Sequence, residues 1–378
     1  MSLLEVCDLR VSFPTADGLV QAVRGVSFSV ERGQTLGIVG ESGSGKTVCT
    51  QTLLGLNRGA DISGQADFEG ADLLALDEDQ MQHIRGAQIS AIFQDPLTSL
   101  HPLYKVGWQV AEIIRVHDRS VSKAQARARA IELLSQVGIP QAARRVDDYP
   151  HQFSGGMRQR AMIAMALALN PKLIIADEPT TALDATVQAQ ILDLLLRLQR
   201  EYETALIMIT HDLGVIADLA DDVLVMYAGK VAESAGRRTI FYRPHHPYTK
   251  GLLESIPGSS GSAAAESGGR LRPIPGQPPS LINVPSGCAF HPRCGYVMDR
   301  CVTDVPSPMM VADDAAVTGE GGPHSSACWL PLQATGLGAD AEKLRMESVS
   351  AHRSGPARAL VEGAGARVAA EVKGGTGR

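Results

Sequence analysis

Gly40–Thr47 reads GESGSGKT, and the residues just before it, Thr35–Val39, read TLGIV. The octet fills the G-x-x-x-x-G-K-[ST] pattern between an apolar strand and a segment, Val48–Leu56, whose spacing predicts a helix. Strand, glycine-rich loop and helix in that order make a phosphate cradle. The glycines let backbone N–H groups curl round anionic oxygens, and the helix N-terminus favours negative charge. On this reading Gly40, Ser42, Gly43, Ser44, Gly45 and Val48 line the nucleotide. Lys46 reaches its β and γ phosphates, and the Thr47 hydroxyl ligates magnesium. The competing reading, a glycine-rich turn that happens to precede Lys-Thr, is opposed by the flanking elements.

Working outward, Leu173–Asp177 reads LIIAD, four apolar residues suited to a buried parallel strand that ends in a carboxylate, with Glu178 next. Open α/β sheets bind ligands beyond the carboxyl ends of their strands. Asp177 can therefore hold the magnesium shell while Glu178 orients or deprotonates an attacking water. Taken alone, the pair reads equally well as an acidic helix start after a strand.

The remaining elements alternate. Glu5–Phe13 and Val23–Val30 are β-type segments around a turn at Pro14–Gly18, which predicts an antiparallel subdomain. From Pro96 the pattern becomes helical, with Val106–Val116 and Ser122–Val137 as separate amphipathic segments, and a helical insertion is placed at 96–153. A helix from Ser154, a strand Lys172–Ala176, a helix Ala185–Leu198 and strands Ala205–Thr210, Asp222–Tyr227 and Lys230–Glu233 follow. Such alternation predicts an α/β fold with a mainly parallel sheet. The expected layout is a nucleotide-binding domain at 1–257, a Gly/Ser/Ala-rich linker at 258–270, a small cysteine-containing domain at 271–334 and a disordered tail at 335–378.

Bulk properties narrow the field. The 378 residues suit one large domain plus a smaller one. A net charge of -6, from 35 basic and 41 acidic residues, gives no electrostatic footprint for nucleic acid. The N-terminus lacks a basic region followed by an apolar one, so a secretory signal is not expected and the chain is placed inside the cell. The longest apolar candidate, Ala161–Leu169, falls far short of the ~18 to 20 residues that span a bilayer, so a membrane role must come through partner chains.

Phe153–Arg160 reads FSGGMRQR, about twenty residues before the carboxylate pair. Ser154 is a natural helix N-cap, and Gly155 and Gly156 let the helix start approach an anion. Here the chain resembles the ABC ATPase family, whose signature runs close to LSGGQ; Phe153 and Met157 depart from it. More of that pattern follows in order. Gln94 in IFQDP matches the glutamine that senses magnesium and the attacking water. Ala182, Leu183 and Asp184 match the loop that touches a partner subunit, and His211 matches the switch histidine at the γ-phosphate. Phe13 matches the aromatic platform for adenine, although a single Phe at a strand end also reads as core. Further stretches are similar to the oligopeptide/dipeptide/nickel importer branch: FQDPLTSLHP at 93–102, FYRPHHPYTKGLLESIP at 241–257, IPGQPP at 274–279 and CAFHPRC at 288–294.

The resemblance implies an ATP- and Mg2+-dependent hydrolase in which two cassettes face each other head to tail. Each nucleotide then lies between the phosphate-binding loop of one and the signature of the other. One chain holds one of each, so the working unit needs a second ABC ATPase subunit, the same or different. Two transmembrane permease subunits and an extracytoplasmic solute-binding protein complete an importer, with this chain peripheral on the cytoplasmic face of the membrane and with no nucleic acid involved. The alternatives are an ABC exporter subunit, which shares the nucleotide chemistry, and a non-transport ABC ATPase. The latter is opposed by a segment between Gln94 and Ser154 too short for a long coiled coil.

Of six cysteines, Cys288, Cys294, Cys301 and Cys328 crowd the last third, spaced C-x5-C-x6-C-x26-C. Four thiolates suit an iron-sulfur cluster, and a cytoplasmic setting disfavours disulfides. Zinc competes, although its structural sites more often contain shorter C-x2-4-C pairs. Resemblance to the peptide-importer branch points to a 4Fe-4S cluster with a structural or regulatory role.

Overall fold

A computed structural model describes residues 2–181, 183–256, 273–311 and 323–330. The expected linker at 258–270, the tail from 335 and Ala182 lie outside the described residues. In chain order β1 (Ser2–Thr15) and β2 (Gly18–Glu31) form a long hairpin, in register from Ser2↔Glu31 to Thr15↔Gly18. β3 (Thr35–Val39) and α1 (Lys46–Leu53) flank the glycine loop. β4 (Asp61–Phe68), β5 (Ala71–Asp72), α2 (Glu78–Ile84) and β6 (Ile89–Ile92) follow.

The helical insertion comprises α3 (Pro96–Ser99), α4 (Val106–His117), α5 (Lys123–Gln136) and α6 (Ala142–Arg145) and leads into α7 (Gly155–Ala166). Ser122 starts α5 with a capping box, its hydroxyl accepting from Gln125 N, and Ser154 caps α7 by accepting from Met157 N. Each such cap stabilises its helix by about 1 kcal/mol. β7 (Leu173–Asp177), α8 (Ala185–Tyr202), β8 (Ala205–Thr210), α9 (Leu213–Leu219), β9 (Asp222–Tyr227), β10 (Lys230–Gly236), α10 (Arg237–Tyr242) and α11 (Pro247–Glu254) complete the cassette. After residue 272 come α12 (Asp299–Thr303) and two short strands, β11 (Met309–Met310) and β12 (Ser325–Ser326).

Two sheets result. The smaller is antiparallel in the order β2-β1-β4-β5, and the larger runs β11-β12-β10-β9-β3-β8-β7-β6. Its β6, β7, β8, β3 and β9 are mutually parallel, while β10, β12 and β11 add antiparallel. Period-2 alternation in the parallel strands separates two apolar cores. Leu36, Ile38, Leu173, Ile175, Ile207 and Ile209 face the smaller sheet, where they meet Leu4, Val6 and Val26. Ile174, Ala176, Leu206, Met208 and Val223 face the helices, where they meet Ile163, Leu195 and Ile216. Strands buried on both faces must be apolar throughout, which is why LIIAD and ALIMIT carry no solvent-side alternation.

The cysteine-bearing segment does not stand apart from the cassette. β12 pairs with β10 at Glu233↔Ser326 and Ser234↔Ser325, extending the main sheet. The joint is held by Glu233, fully buried, which accepts from His245 N at 2.6 Å, His246 N at 3.0 Å and His324 Nε2 at 2.8 Å. These bonds hold the Glu233 carboxyl below its ordinary pKa although burial acts the other way. Among the described residues no helix is long and apolar enough to cross a membrane.

Candidate functional site

Adjacent parallel strands deliver the candidate residues to one edge of the sheet. β3 runs into the glycine loop, β8 ends at Thr210 before His211, β7 ends at Asp177, and β6 leads to Gln94. Because the strands are parallel neighbours in the order β3-β8-β7-β6, their carboxyl ends converge, as open α/β sheets require of a ligand site.

Two of the loop's glycines have no room for a side chain. Gly40 has φ +154° and a Cβ there would strike the Met226 carbonyl; Gly45 has φ +98° and a Cβ would strike the Ala22 carbonyl. The loop is pinned by Gly229 N donating to Ser44 O at 3.0 Å. Lys46 is buried, with Nζ donating to Gly40 O at 2.7 Å and Glu41 O at 3.0 Å. Burial lowers its pKa, opposed by the charges of Glu178, Asp177 and Glu41. The Ser44 hydroxyl is buried without a hydrogen-bond partner, an orphan that a phosphate oxygen would satisfy. A cradle without room for side chains, a buried ammonium and an orphaned hydroxyl together fit a nucleotide's phosphates.

Thr47 Oγ1 donates to Asp177 Oδ1 at 3.1 Å, so the two groups expected to share a magnesium ion do meet. Burial raises the Asp177 pKa, with the Thr47 hydrogen bond working against it. Glu178 adopts φ 45°, a left-handed conformation that turns its carboxylate out of the strand line. Three side chains hold that carboxylate: Gln94 Nε2 at 3.0 Å and Thr181 Oγ1 at 3.0 Å on Oε2, and His211 Nδ1 at 3.1 Å on Oε1. Glu178 is mostly enclosed while His211 is open, its side chain 61% exposed.

Other expected residues lie elsewhere. Ser154, Gly155 and Gly156 open α7, where their near neighbours are Met157, Leu183 and Val187. Asp184 caps α8, accepting from Val187 N at 2.9 Å. Phe13 pairs with Val20 near the hairpin turn and is half-buried against the inter-sheet core; Val48 is half-buried against the same core. Sequence reasoning missed Thr181, whose place three residues after Glu178 was its one available signal. It also missed Arg293, which forms an ion pair with Glu41 of the loop.

The four C-terminal cysteines are free thiols that line one small enclosed cavity, together with Phe290 and Trp329. Burial raises the pKa of Cys288 and Cys294, and pushes Cys328 up to about 12. Burial is opposed at Cys294 by Tyr296 N, which donates to its Sγ at 3.4 Å. Among the described residues no group of three or more His, Cys, Asp or Glu side chains is arranged as a metal site.

Comparison with known proteins agrees with this geometry. The family model for ABC transporters matches residues 23–181, and that for the C-terminal region of oligopeptide/dipeptide transporters matches residues 232–301. The oligopeptide transport ATP-binding protein OppD of Bacillus subtilis is 53% identical over 314 residues, covering 82% of this chain and 86% of its own. The dipeptide transport ATP-binding protein DppD of Escherichia coli is 46% identical over 338 residues, 89% of this chain and 99% of its own. Among solved structures, a dimeric post-hydrolysis state of the ATP-binding cassette MJ0796 with ADP and Pi superposes with a TM-score of 0.57 at 28% identity, over 62% of this chain and 99% of that one. The chain is an ABC-type ATPase and belongs to the oligopeptide/dipeptide family of ABC transporter ATP-binding proteins.

Proposed function

We propose that this chain hydrolyses ATP to drive import of peptides or a related small solute, working from the cytoplasmic face of the membrane. The observation that carries the catalytic part is the Glu178 carboxylate, held by Gln94, Thr181 and His211 beside the Lys46 and Thr47 cradle. Glu178 would orient and deprotonate the attacking water, with Gln94 and His211 holding its carboxylate in place and poised toward the metal and the γ-phosphate. Thr47 and Asp177, with Gln94, would hold Mg2+, which supplies charge neutralisation at the phosphates. The peptide assignment rests on the relatives' names and on the match to the transporters' C-terminal region.

Ser154–Gly156 would act on the nucleotide of a second cassette, a heterodimer or homodimer partner. Two permease subunits and an extracytoplasmic binding protein complete the importer. For the permease contact the helical insertion offers Tyr104, Trp108 and Val116, exposed apolar side chains around an open cleft, and the exposed Leu103. Reconstituting the chain with its permeases in liposomes tests the reading: turnover stimulated by a peptide-loaded binding protein is expected, and turnover indifferent to every peptide presented would overturn it.

We further propose, on the resemblance to the importer branch, that these four cysteines hold a 4Fe-4S cluster, although they are not arranged as a metal site here. Four cysteines line one cavity, and four thiolates are the ligand set of such a cluster. Anaerobic purification with iron and acid-labile sulfide analysis is the test. A colourless protein with stoichiometric zinc and no sulfide rejects the assignment.

A further inference from the structure

Glu41, second residue of the phosphate-binding loop, is the loop's one carboxylate, and its partner lies 252 residues away in the cysteine-bearing segment. Arg293 Nη1 donates to Oε2 at 2.6 Å and Nη2 to Oε1 at 2.9 Å, the parallel two-bond fork that guanidinium and carboxylate form best. Arg293 is 5% exposed and Glu41 26%, so water screens the pair weakly. The guanidinium is fixed from its other sides as well. Nε donates to Pro275 O at 2.8 Å and Nη1 to the Tyr227 hydroxyl at 3.3 Å, with the Tyr227 and Phe290 rings 5.8 and 6.0 Å from its centre. The loop backbone is tied at the same point, where Glu41 N donates to the Tyr248 hydroxyl at 2.8 Å.

This arrangement matters for phosphate because Glu41 shares a field with Lys46. Lys46 Nζ donates to the Glu41 backbone carbonyl at 3.0 Å, so the Glu41 side chain springs from a residue in direct contact with the ammonium that grips phosphate. A free carboxylate there repels a triphosphate for the reason that Lys46 attracts it. Paired with Arg293, it is neutralised in advance.

We propose that Arg293 is a positioning residue for nucleotide binding: by neutralising Glu41 and fixing its carboxylate, it keeps the phosphate-binding loop receptive to the triphosphate. The cysteine-bearing segment thereby completes the nucleotide site. The proposal rests on the ATPase assignment and is independent of whether the cysteine cavity binds iron, although Cys288 and Cys294 flank the turn that carries Arg293.

The test is MgATP binding to the full-length chain by titration calorimetry, with far-UV circular dichroism as a check of folding. Arg293→Met is expected to raise the Kd about tenfold, since it unmasks Glu41. Adding Glu41→Gln to that variant removes the unmasked charge and is expected to bring the Kd back to within about threefold of wild type. Loss of a purely structural contact would not be reversed by a second change. If Arg293→Met does not fold, Arg293→Lys and Glu41→Gln alone still decide: Lys keeps the charge and should bind within about threefold of wild type, and Glu41→Gln should bind at least as tightly. A wild-type Kd for Arg293→Met, a double variant no better than the single, or a tenfold weaker Glu41→Gln overturns the proposal.

Discussion

Glu178→Gln separates binding from hydrolysis, and the hydrogen bonds around Glu178 indicate how cleanly. Oε2 accepts from two fixed donors, Gln94 and Thr181, whereas Oε1 faces His211 Nδ1. A glutamine can keep its carbonyl oxygen toward Gln94 and Thr181 and turn its amide toward His211, whose ring nitrogen accepts in the other tautomer. All three contacts survive, so the loop, Lys46 and Thr47 should be undisturbed and MgATP affinity should change by less than about threefold. What is lost is the basic lone pair, and general-base removal costs ~10²- to 10⁴-fold in rate, or ~3 to 5 kcal/mol at 1.36 kcal/mol per decade. Lys46→Ala should behave oppositely, weakening binding itself, because it deletes the cation aimed at the phosphates. The assay is steady-state phosphate release by the assembled transporter beside equilibrium MgATP binding. Turnover near the wild-type rate, or loss of binding in Glu178→Gln, refutes the role assigned to Glu178.

Two other outcomes follow. Because Ser154 is expected to act on a partner's nucleotide, the purified monomer should turn over ATP at least about tenfold more slowly per chain than the assembled complex, and full activity from a demonstrable monomer would rule this out. Burial holds His246 at a pKa of about 4 against an unfolded value of 6.5, with Glu233 opposing and His245 reinforcing the shift, while its neutral Nδ1 accepts from Tyr248 N at 3.0 Å. A depressed folded pKa means stability that is complete above pH ~6.5 and lost as pH falls toward ~4, at most about 3 kcal/mol. Melting temperature should fall across that window, and His246→Asn, which keeps an acceptor for Tyr248 N without titrating, should flatten the fall; an unchanged slope counts against it.

The nucleotide edge of the fold was legible because its signals are local. TLGIV and ALIMIT have the bounds read from sequence, and the helix expected at Val48–Leu56 begins only two residues sooner, at Lys46. Ser122 and Ser154 cap the helices they were expected to start. Elements without a local signal escaped. β4 reads DISGQADF, its first five residues exposed and a glycine at its middle, and β6 is four residues long. β11 and β12 have two residues each and exist only because β10 offers an edge to pair with. Glu178 came from its place after a buried strand and Gln94 and His211 from family order, and their meeting required three parallel strands to end together. The Arg293–Glu41 pair had no signal at all, since neither residue's neighbourhood points to the other.

The pairing of β12 onto β10 has a consequence for how copies of the chain behave in solution. An uncovered outer strand presents bare amides and carbonyls, a template onto which another molecule's strand can add. Here Ser325–Ser326 occupies that edge, and Ala327 N donates to Ala232 O at 2.8 Å beyond it. Removing the chain after Ile256 would strip this cover and deprive Glu233 of its His324 donor, leaving a buried carboxylate one bond short on a naked strand. Such a truncated cassette keeps its catalytic residues but loses its guard against edge-to-edge stacking. Its characteristic fault would be aggregation on concentration, beside the weaker nucleotide binding that loss of Arg293 brings.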